Sequence, residues 1–376
     1  MDIRISRVEE ERLRSELERR TDVDAARIKR YLTMPDLSRT PSSPLAEIVK
    51  RVKALTVVKD FDDIEIPEIV PASVSFDLFD FPVSHPARST SDTYYVDQEN
   101  ILRTHDTVFW YYYLNQPEIK ERIVRNESFG ALCYGKVYRK DEIDRRHLNI
   151  FHQMGGWYLV PNDQKRLKLD DLRDVLSEIV QSVFGESTKY RFLDDTFPYT
   201  DPSLQVEVKI NDEWVEILGG GMPKESVLKK MGIAGYNGWA FGFGLERLAI
   251  ISMKLPDIRL LWSADDRVKK QLVLGHEFKE VSKYPAVVRD ISFVVAKGFI
   301  PNNYFDLVRD VVGDLVEQME LLDTYENDKK LGRDKVSYAY RITYRSTDKT
   351  FTNDEVNTLH KKLEDATVRN FDAAIR

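Results

Sequence analysis

The chain has 376 residues, 42% of them hydrophobic and 32% charged, with a formal net charge of −7. That length allows two or three domains with a sizeable core, and the acidic balance excludes a protein that grips nucleic acid over its whole surface, leaving local basic patches as the way to do so. No apolar run nears the roughly 20 residues that span a bilayer, so no membrane partner is expected, and the early acids are unlike a targeting leader.

An unprocessed cytoplasmic chain is therefore expected, with an organellar matrix as the alternative. The single Cys133 excludes an internal disulfide and a cysteine-cluster zinc site, and reads as a small buried apolar residue.

In chain order, Ile3 to Leu32 reads as one charged helix, closed by the Pro- and Ser-rich stretch from Met34-Pro35 to Ser43-Pro44. Leu45 to Leu55 resumes a helical apolar spacing, and from Phe61 to Pro86 short extended pieces alternate with prolines. Leu132 to Arg139 and Phe151 to Val160 are predicted strands flanking a charged, mobile loop, Lys140 to Asn149. A helix over Asp170 to Phe184 precedes strands Leu204 to Ile210 and Glu213 to Leu218, joined by a hairpin turn at Asn211-Asp212. Strands arriving in runs predict a mainly antiparallel sheet with helices packed on it, an α+β domain.

After Gln271 the pattern changes. Strand Asp290 to Val295, helix Asn303 to Met319, strands Leu321 to Tyr325 and Val336 to Arg345, helix Thr352 to Asn370 and strand Ala373 to Arg376 give the order β-α-β-β-α-β, the ferredoxin-like split unit. Alternation sets Val336, Tyr338, Tyr340, Ile342 and Tyr344 on one face and Arg341 and Arg345 on the other. The tyrosine face reads as core, and the arginine face as the candidate contact for a phosphate backbone.

Four segments carry chemistry. His85-Pro-Ala-Arg88 and Leu102-Arg-Thr-His105 form a polar block, and Val137-Tyr-Arg139 is followed by Phe151-His-Gln153. Phe197-Pro-Tyr199-Thr-Asp201 runs through Glu207 and Glu216 to the triplet Gly219-Gly-Gly221, where a backbone can border a ligand. Phe241-Gly-Phe-Gly-Leu-Glu-Arg247 leads glycines into a helix that starts with an arginine, which suits nucleotide phosphates. Together these suit activation of a carboxylic acid by ATP. The attacking carboxylate is already ionised at neutral pH, so the site must supply positioning and positive charge, from Arg139 and Arg247, with Mg²⁺ held by carboxylates.

In this order and combination the motifs resemble the phenylalanyl-tRNA synthetases of the single-chain, mitochondrial type, over about Leu45 to Arg376. Pro256-Asp-Ile-Arg-Leu-Leu-Trp262 and the tail beginning Ser282-Lys-Tyr-Pro285 extend the resemblance. It implies an N-terminal helical extension (1–44), a class II aminoacyl-tRNA synthetase catalytic domain with an antiparallel sheet and flanking helices (45–272), a linker (273–284) and a ferredoxin-like anticodon-binding domain (285–376). It implies that Arg139 contacts the α-phosphate, that Arg146, His147 and Leu148 border ATP, and that Glu216, Phe241 and Arg247 complete the nucleotide site. Glu216 would be the first Mg²⁺ ligand, with Asp201 and Glu207 as further candidates. His105, Thr107 and Gln153 would orient the amino acid, and Phe197 and Tyr199 would face its ring over a floor at Ala240.

The chain departs from the family at Gly155, where a glutamate helps hold the substrate ammonium, and at Trp110, which is expected to line the amino-acid pocket where bacterial relatives have glutamine. Thr107 replaces a serine and Tyr199 a phenylalanine. The resemblance implies a ligase that joins phenylalanine to tRNA(Phe) through an adenylate, acting as a monomer. A paralogue that activates another amino acid and a catalytically idle tRNA-binding protein are the alternatives.

Overall fold

The computed structural model describes residues 1–280, 284–346 and 349–376; positions 281–283 of the expected linker, with Ser282 and Lys283 of the tail motif, lie outside the described residues. The chain divides into two compact units that interleave in sequence. The first comprises residues 1–139, 150–255 and 270–278, and the second 140–149, 256–269 and 279–376. No helix among the described residues is long and apolar enough to cross a membrane.

The first unit holds strands β1 (Asp2–Arg4), β2 (Asp62–Glu65), β3 (Ile69–Pro71), β4 (Asn100–Leu102), β5 (Phe129–Tyr138), β6 (Ile150–Pro161), β7 (Tyr190–Phe197), β8 (Thr200–Ile210), β9 (Glu213–Pro223) and β10 (Tyr236–Gly244). Its main sheet has the order β1-β2-β5-β6-β10-β9-β8-β7, and β3 pairs with β4 apart from it. From β5 onward every pair is antiparallel, as expected, while β1, β2 and β5 add a parallel edge. The β8–β9 hairpin turns at Asn211 and Asp212 with φ of 47° and 68°, the left-handed pair that matches strand twist. Behind the sheet, helix Leu169–Phe184 buries Leu172, Val175, Leu176, Ile179, Val180 and Val183, the three–four spacing of one apolar stripe.

Where a single helix was expected over 3–32, the chain forms β1 and then two helices, Val8–Glu18 and Val23–Thr33. Asp22 breaks the run, because its carboxylate accepts the Ala25 N–H at 2.9 Å and caps the second helix. Ile3 pairs with Ile64, Leu13, Leu17, Ile28 and Tyr31 are buried, and the buried Lys136 ammonium donates to the Leu32 and Met34 carbonyls. The N-terminal segment is thus part of the unit's packing.

The second unit carries β11 (Val287–Ala296), β12 (Val316–Tyr325), β13 (Lys335–Tyr344) and β14 (Ala374–Ile375), in the order β12-β13-β11-β14. Helices Pro301–Val312 and Asn353–Phe371 cover it over a core that includes Phe293, Tyr304, Tyr340, Ile342, Tyr344 and Leu363. This is the ferredoxin-like arrangement expected, with the tyrosine face as core. Thr352 and Glu355 exchange side-chain and backbone hydrogen bonds at the start of the second helix, a reciprocal cap. The helix expected to reach Met319 ends at Val312, because Gly313 takes a φ of 62° and turns the chain into β12.

Candidate active site

Strand register lays a row of small residues across one face of the main sheet. Cys133, Gly155, Gly242, Gly219 and Gln205 are consecutive partners across β5, β6, β10, β9 and β8. The row beside it runs Gly135, Gln153 and Gly244. A side chain at Gly244 would meet nothing within 4 Å and one at Gly242 only an Asp106 oxygen at 3.9 Å, so the floor is open there. Backbone exposed this way admits a ligand that side chains would exclude.

A bulge brings an acid onto this face. Gln205 faces Gly219 and Val206 faces Leu218, but Glu207 faces Glu216, so Ile217 is the extra residue. Ile217 and Leu218 are both buried, and Glu216 is turned to the side of Glu207. Arg247, at the start of helix Leu245–Met253, approaches Glu216 at 3.6 Å from its carboxylate and 3.4 Å from its carbonyl, with both side chains half exposed. Arg139 follows the end of β5; its Nε donates to the Thr104 carbonyl at 2.9 Å, and its guanidinium lies 5.2 Å from the centre of the Phe151 ring. Both arginines hang from the ends of strands that flank the start of β6.

Phe151 shares its face of β6 with Gln153 and Gly155; the motif Phe151-His-Gln153 is read from the sequence, but without a role for the ring. Strand alternation from Gln153 was the available signal. Phe241 is a correction. It points to the opposite face, stacked between Trp239 and Phe243, 5% exposed and against the side where a Gly156 Cβ would lie. Its ring is therefore core rather than part of the nucleotide floor.

The metal candidates separate. Glu207 and Glu216 are cross-strand partners, with Glu207 held by Arg191 at 2.6 Å. Asp201 sits six residues along β8, roughly 20 Å away at the rise of a strand, and cannot share an ion with them. Among the described residues no group of three or more acids, histidines or cysteines gathers. Two hard carboxylate oxygens beside an arginine nonetheless suit an Mg²⁺ that spends its remaining positions on phosphate and water.

Above the floor passes the turn 103–107. Buried Arg103 donates to the Lys136 and Ile66 carbonyls, and the Asp106 N–H donates to Gln153 Oε1 at 3.0 Å. His105 is buried, with Nε2 3.0 Å from the Ser75 carbonyl and its ring stacked on Phe81. Burial and the nearby Arg139 push its pKa down to about 4, so the imidazole is neutral and Nε2 carries the proton. Asp106 is 3% exposed, burial pushes its carboxyl up to about 7 against the pull of Arg103 and Arg139, and Oδ2 has no hydrogen-bond partner.

Aromatic rings close one end. Tyr199 touches Phe79, Phe81, Trp110 and Phe197, with ring centres 5.7, 6.3, 5.9 and 6.2 Å away. Burial raises the Tyr199 pKa, and a side-chain hydrogen bond with Thr107 lowers it in part. Phe197 also covers Gly219, and Ala240 is buried beneath the cluster. Trp110 is a second correction. It is 1% exposed and stacks on Trp157 at 4.7 Å, so it backs Tyr199 from the core instead of facing a ligand. His152 is a structural histidine, bonded to Glu246 and to the Leu37 N–H, and Cys133 is fully buried.

The remaining candidates fold in the second unit. The loop 140–149, expected to be mobile, is anchored there: Ile143 lies in the core, the Met319 N–H donates to its carbonyl at 3.0 Å, and Arg145 pairs with Glu317. Asp144 accepts the N–H groups of Arg146 and His147 and pairs with the His147 ring at 2.7 Å, which fixes the backbone leading to Leu148. Arg341 makes two 2.9 Å hydrogen bonds to Asp290. Arg345 falls just past the end of β13 and pairs with Glu317, 2% exposed, so the expected arginine face is neutralised from within.

Comparison with known proteins bears on this arrangement. Residues 29–272 match the family tRNA synthetases class II core domain (F), and residues 282–376 match the ferredoxin-fold anticodon binding domain. The chain is 37% identical to the chloroplastic/mitochondrial phenylalanine--tRNA ligase of Arabidopsis thaliana, over 83% of this chain and 72% of the relative. It is 34% identical to the mitochondrial phenylalanine--tRNA ligase of Mus musculus, over 81% and 73%. A pyrrolysyl-tRNA synthetase of Desulfitobacterium hafniense superimposes with a TM-score of 0.46 at 20% identity, over 64% of this chain and 80% of that one. On the family matches and the identities to the ligases, the chain belongs to the class II tRNA synthetase core domain (F) family and carries a ferredoxin-fold anticodon binding domain.

Proposed function

We propose that the protein is a ligase that joins phenylalanine to tRNA(Phe) at the expense of ATP. In the first step an oxygen of the amino-acid carboxylate attacks the α-phosphorus, the bond to the bridging oxygen breaks, and pyrophosphate leaves from an aminoacyl-adenylate. In the second, a hydroxyl of the tRNA's terminal adenosine, the 2′ by resemblance, attacks the carbonyl carbon and AMP leaves. The observation that carries the reading is the glycine floor of Gly155, Gly242 and Gly244, with Arg139 and Arg247–Glu216 hung from strand ends at its margin. Such a floor lets a flat nucleotide approach backbone, and the guanidiniums oppose the charge that develops on the phosphates.

In this reading Phe151 supplies the aromatic face for the base, and Arg146, His147 and Leu148 border ATP from the ordered loop. Bound Mg²⁺, held by Glu216 and Glu207, would neutralise phosphate charge. Gln153, His105 and Thr107 orient the amino acid; Phe197 and Tyr199 face its ring over Ala240. Arg341 remains the better tRNA contact of the two arginines, since the charge of Arg345 is met by a buried acid. The division into 1–44, 45–272, 273–284 and 285–376, a monomeric state and tRNA as partner belong to the same reading. The organellar names of the relatives favour the matrix over the cytoplasm.

The Tyr199 phenol beside Thr107 supports a second reading, in which the pocket takes an amino acid other than phenylalanine. Amino-acid-dependent pyrophosphate exchange across all twenty amino acids decides. Exchange with phenylalanine alone upholds the first reading, exchange with another amino acid the second, and tRNA binding without any exchange leaves only an idle binder.

A further inference from the structure

The three nearest atoms that a side chain at Gly155 would meet all belong to one carboxyl group. A Cβ there would lie 2.5 Å from Asp106 Oδ2, 3.1 Å from Cγ and 3.2 Å from Oδ1. An acid rising from β6 at position 155 and an acid descending from the turn above would therefore claim the same volume, and this chain carries the second. Asp106 Oδ1 also comes within 3.9 Å of where a Gly242 Cβ would stand, so the group hangs over two facing glycines of β6 and β10.

Inside the first unit this carboxylate is only partly satisfied: the backbone N–H groups of Asp106 and Thr107 donate to it and the Arg103 and Arg139 charges draw on it, but one oxygen is left over. Asp106 is 3% exposed and Oδ2 accepts no hydrogen bond. The Gln153 oxygen is already taken by the Asp106 N–H, and Thr107 is engaged with Tyr199, so neither neighbour supplies a cation. Burying an acid with one oxygen left without a partner costs on the order of 1–3 kcal/mol in stability. A residue that weakens the fold in this way, at the margin of a substrate site, is explained by a cationic ligand group that completes it.

We propose that Asp106 anchors the α-ammonium of the amino-acid substrate, as a carboxylate transposed from the sheet at position 155 to the turn over it. The inference rests on the ligase reading above, and specifies the residue that admits α-amino acids and rejects acids lacking the amino group. One ammonium N–H reaches Oδ2, and its charge removes the penalty of the buried acid. The carboxylate of the substrate is left to the phosphate end of the floor.

The test uses the full chain in pyrophosphate exchange, with phenylalanine as substrate and 3-phenylpropionate, which lacks the ammonium, as competitive inhibitor. Asp106→Asn is expected to raise the KM for phenylalanine about 100-fold, the loss of a charge-assisted contact. The inhibition constant of 3-phenylpropionate should move less than about threefold, and the melting temperature should hold or rise. Gly155→Glu alone should lose activity, and Asp106→Ala with Gly155→Glu should regain at least about tenfold over Asp106→Ala, since the acid then returns from the strand. A KM within threefold of wild type in Asp106→Asn, equal weakening of both ligands, or no regain in the double variant overturns the proposal. Wild-type exchange with no amino acid sinks the ligase reading and this inference together. Exchange with a different amino acid moves the same comparison to that substrate and its deaminated counterpart.

Discussion

His105 and Asp106 are chain neighbours, both buried, and their titrations oppose each other. The histidine falls from an ordinary 6.5 to about 4, so its contribution to stability is present above 6.5 and is lost as pH drops toward 4. The aspartate rises from 3.8 to about 7, so its contribution is present below 3.8 and is lost as pH climbs through 7. Between pH 4 and 6.5 the two slopes largely cancel, each spanning on the order of 3 kcal/mol. Asp106→Asn leaves the histidine slope alone, so denaturant unfolding of that variant should show stability rising across this window where wild type stays nearly level. Because an ammonium needs the ionised acid, the KM for phenylalanine in wild type should rise as pH falls below about 7, and a flat profile from pH 6 to 8 would contradict the anchor. The charged and titratable groups facing Asp106 in this titration include Arg103, Arg139, Cys133 and Tyr199, with the backbone N–H groups of Asp106 and Thr107 beside them. At this scale the motifs in the sequence pointed to Arg139, Gln153, Glu216 and Arg247, which the structure brings to the glycine floor and its margin. They missed Asp106 and gave the Phe151 ring no role, because both depend on what stands over a glycine floor, and they set Phe241 at that floor although alternation assigns it to the other face.

Two glycines of β10 separate folding from binding. A Cβ at Gly238 would fall on the Tyr158 carbonyl oxygen, backbone that cannot turn aside, whereas one at Gly244 meets nothing within 4 Å. Gly238→Ala should destabilise by about 3 kcal/mol or more, read in urea unfolding. Gly244→Ala should unfold within about 0.5 kcal/mol of wild type, yet its methyl stands in the floor and should weaken ATP by roughly 1–3 kcal/mol, read as KM for ATP in exchange. Strands and helices with strong alternation or three–four spacing were legible, among them Leu169–Phe184 and the two-residue turn at Asn211 and Asp212. The bulge at Ile217 was not, because an extra residue breaks the period that sequence reading relies on, and it is the bulge that puts Glu216 opposite Glu207. The break at Asp22 was available in principle as a cap, but a run of charged helix formers on both sides masked it.

The whole molecule is two units woven from six intervals of chain, three in each, and this weave was invisible to a reading that divides sequence into contiguous blocks. Its centre in the second unit is Glu317, a buried acid bound by Arg145 and Arg345. Glu317→Gln removes one negative charge from between two guanidiniums and should destabilise the second unit by about 2 kcal/mol. Under the ligase reading it should also raise the KM for ATP, since the segment holding Arg146 to Leu148 loses its tether; an unchanged KM with a lowered melting temperature would separate the two effects. The tether has a consequence for synthesis on the ribosome. Residue 149 is translated about 8–34 s before Glu317 and about 10–45 s before residue 376 at ordinary elongation rates, so the segment after Arg139 first lacks Glu317 and then, until the chain ends, a complete socket for Ile143. A nascent or prematurely terminated chain therefore carries the segment 140–149 without the anchors that order it in the finished second unit.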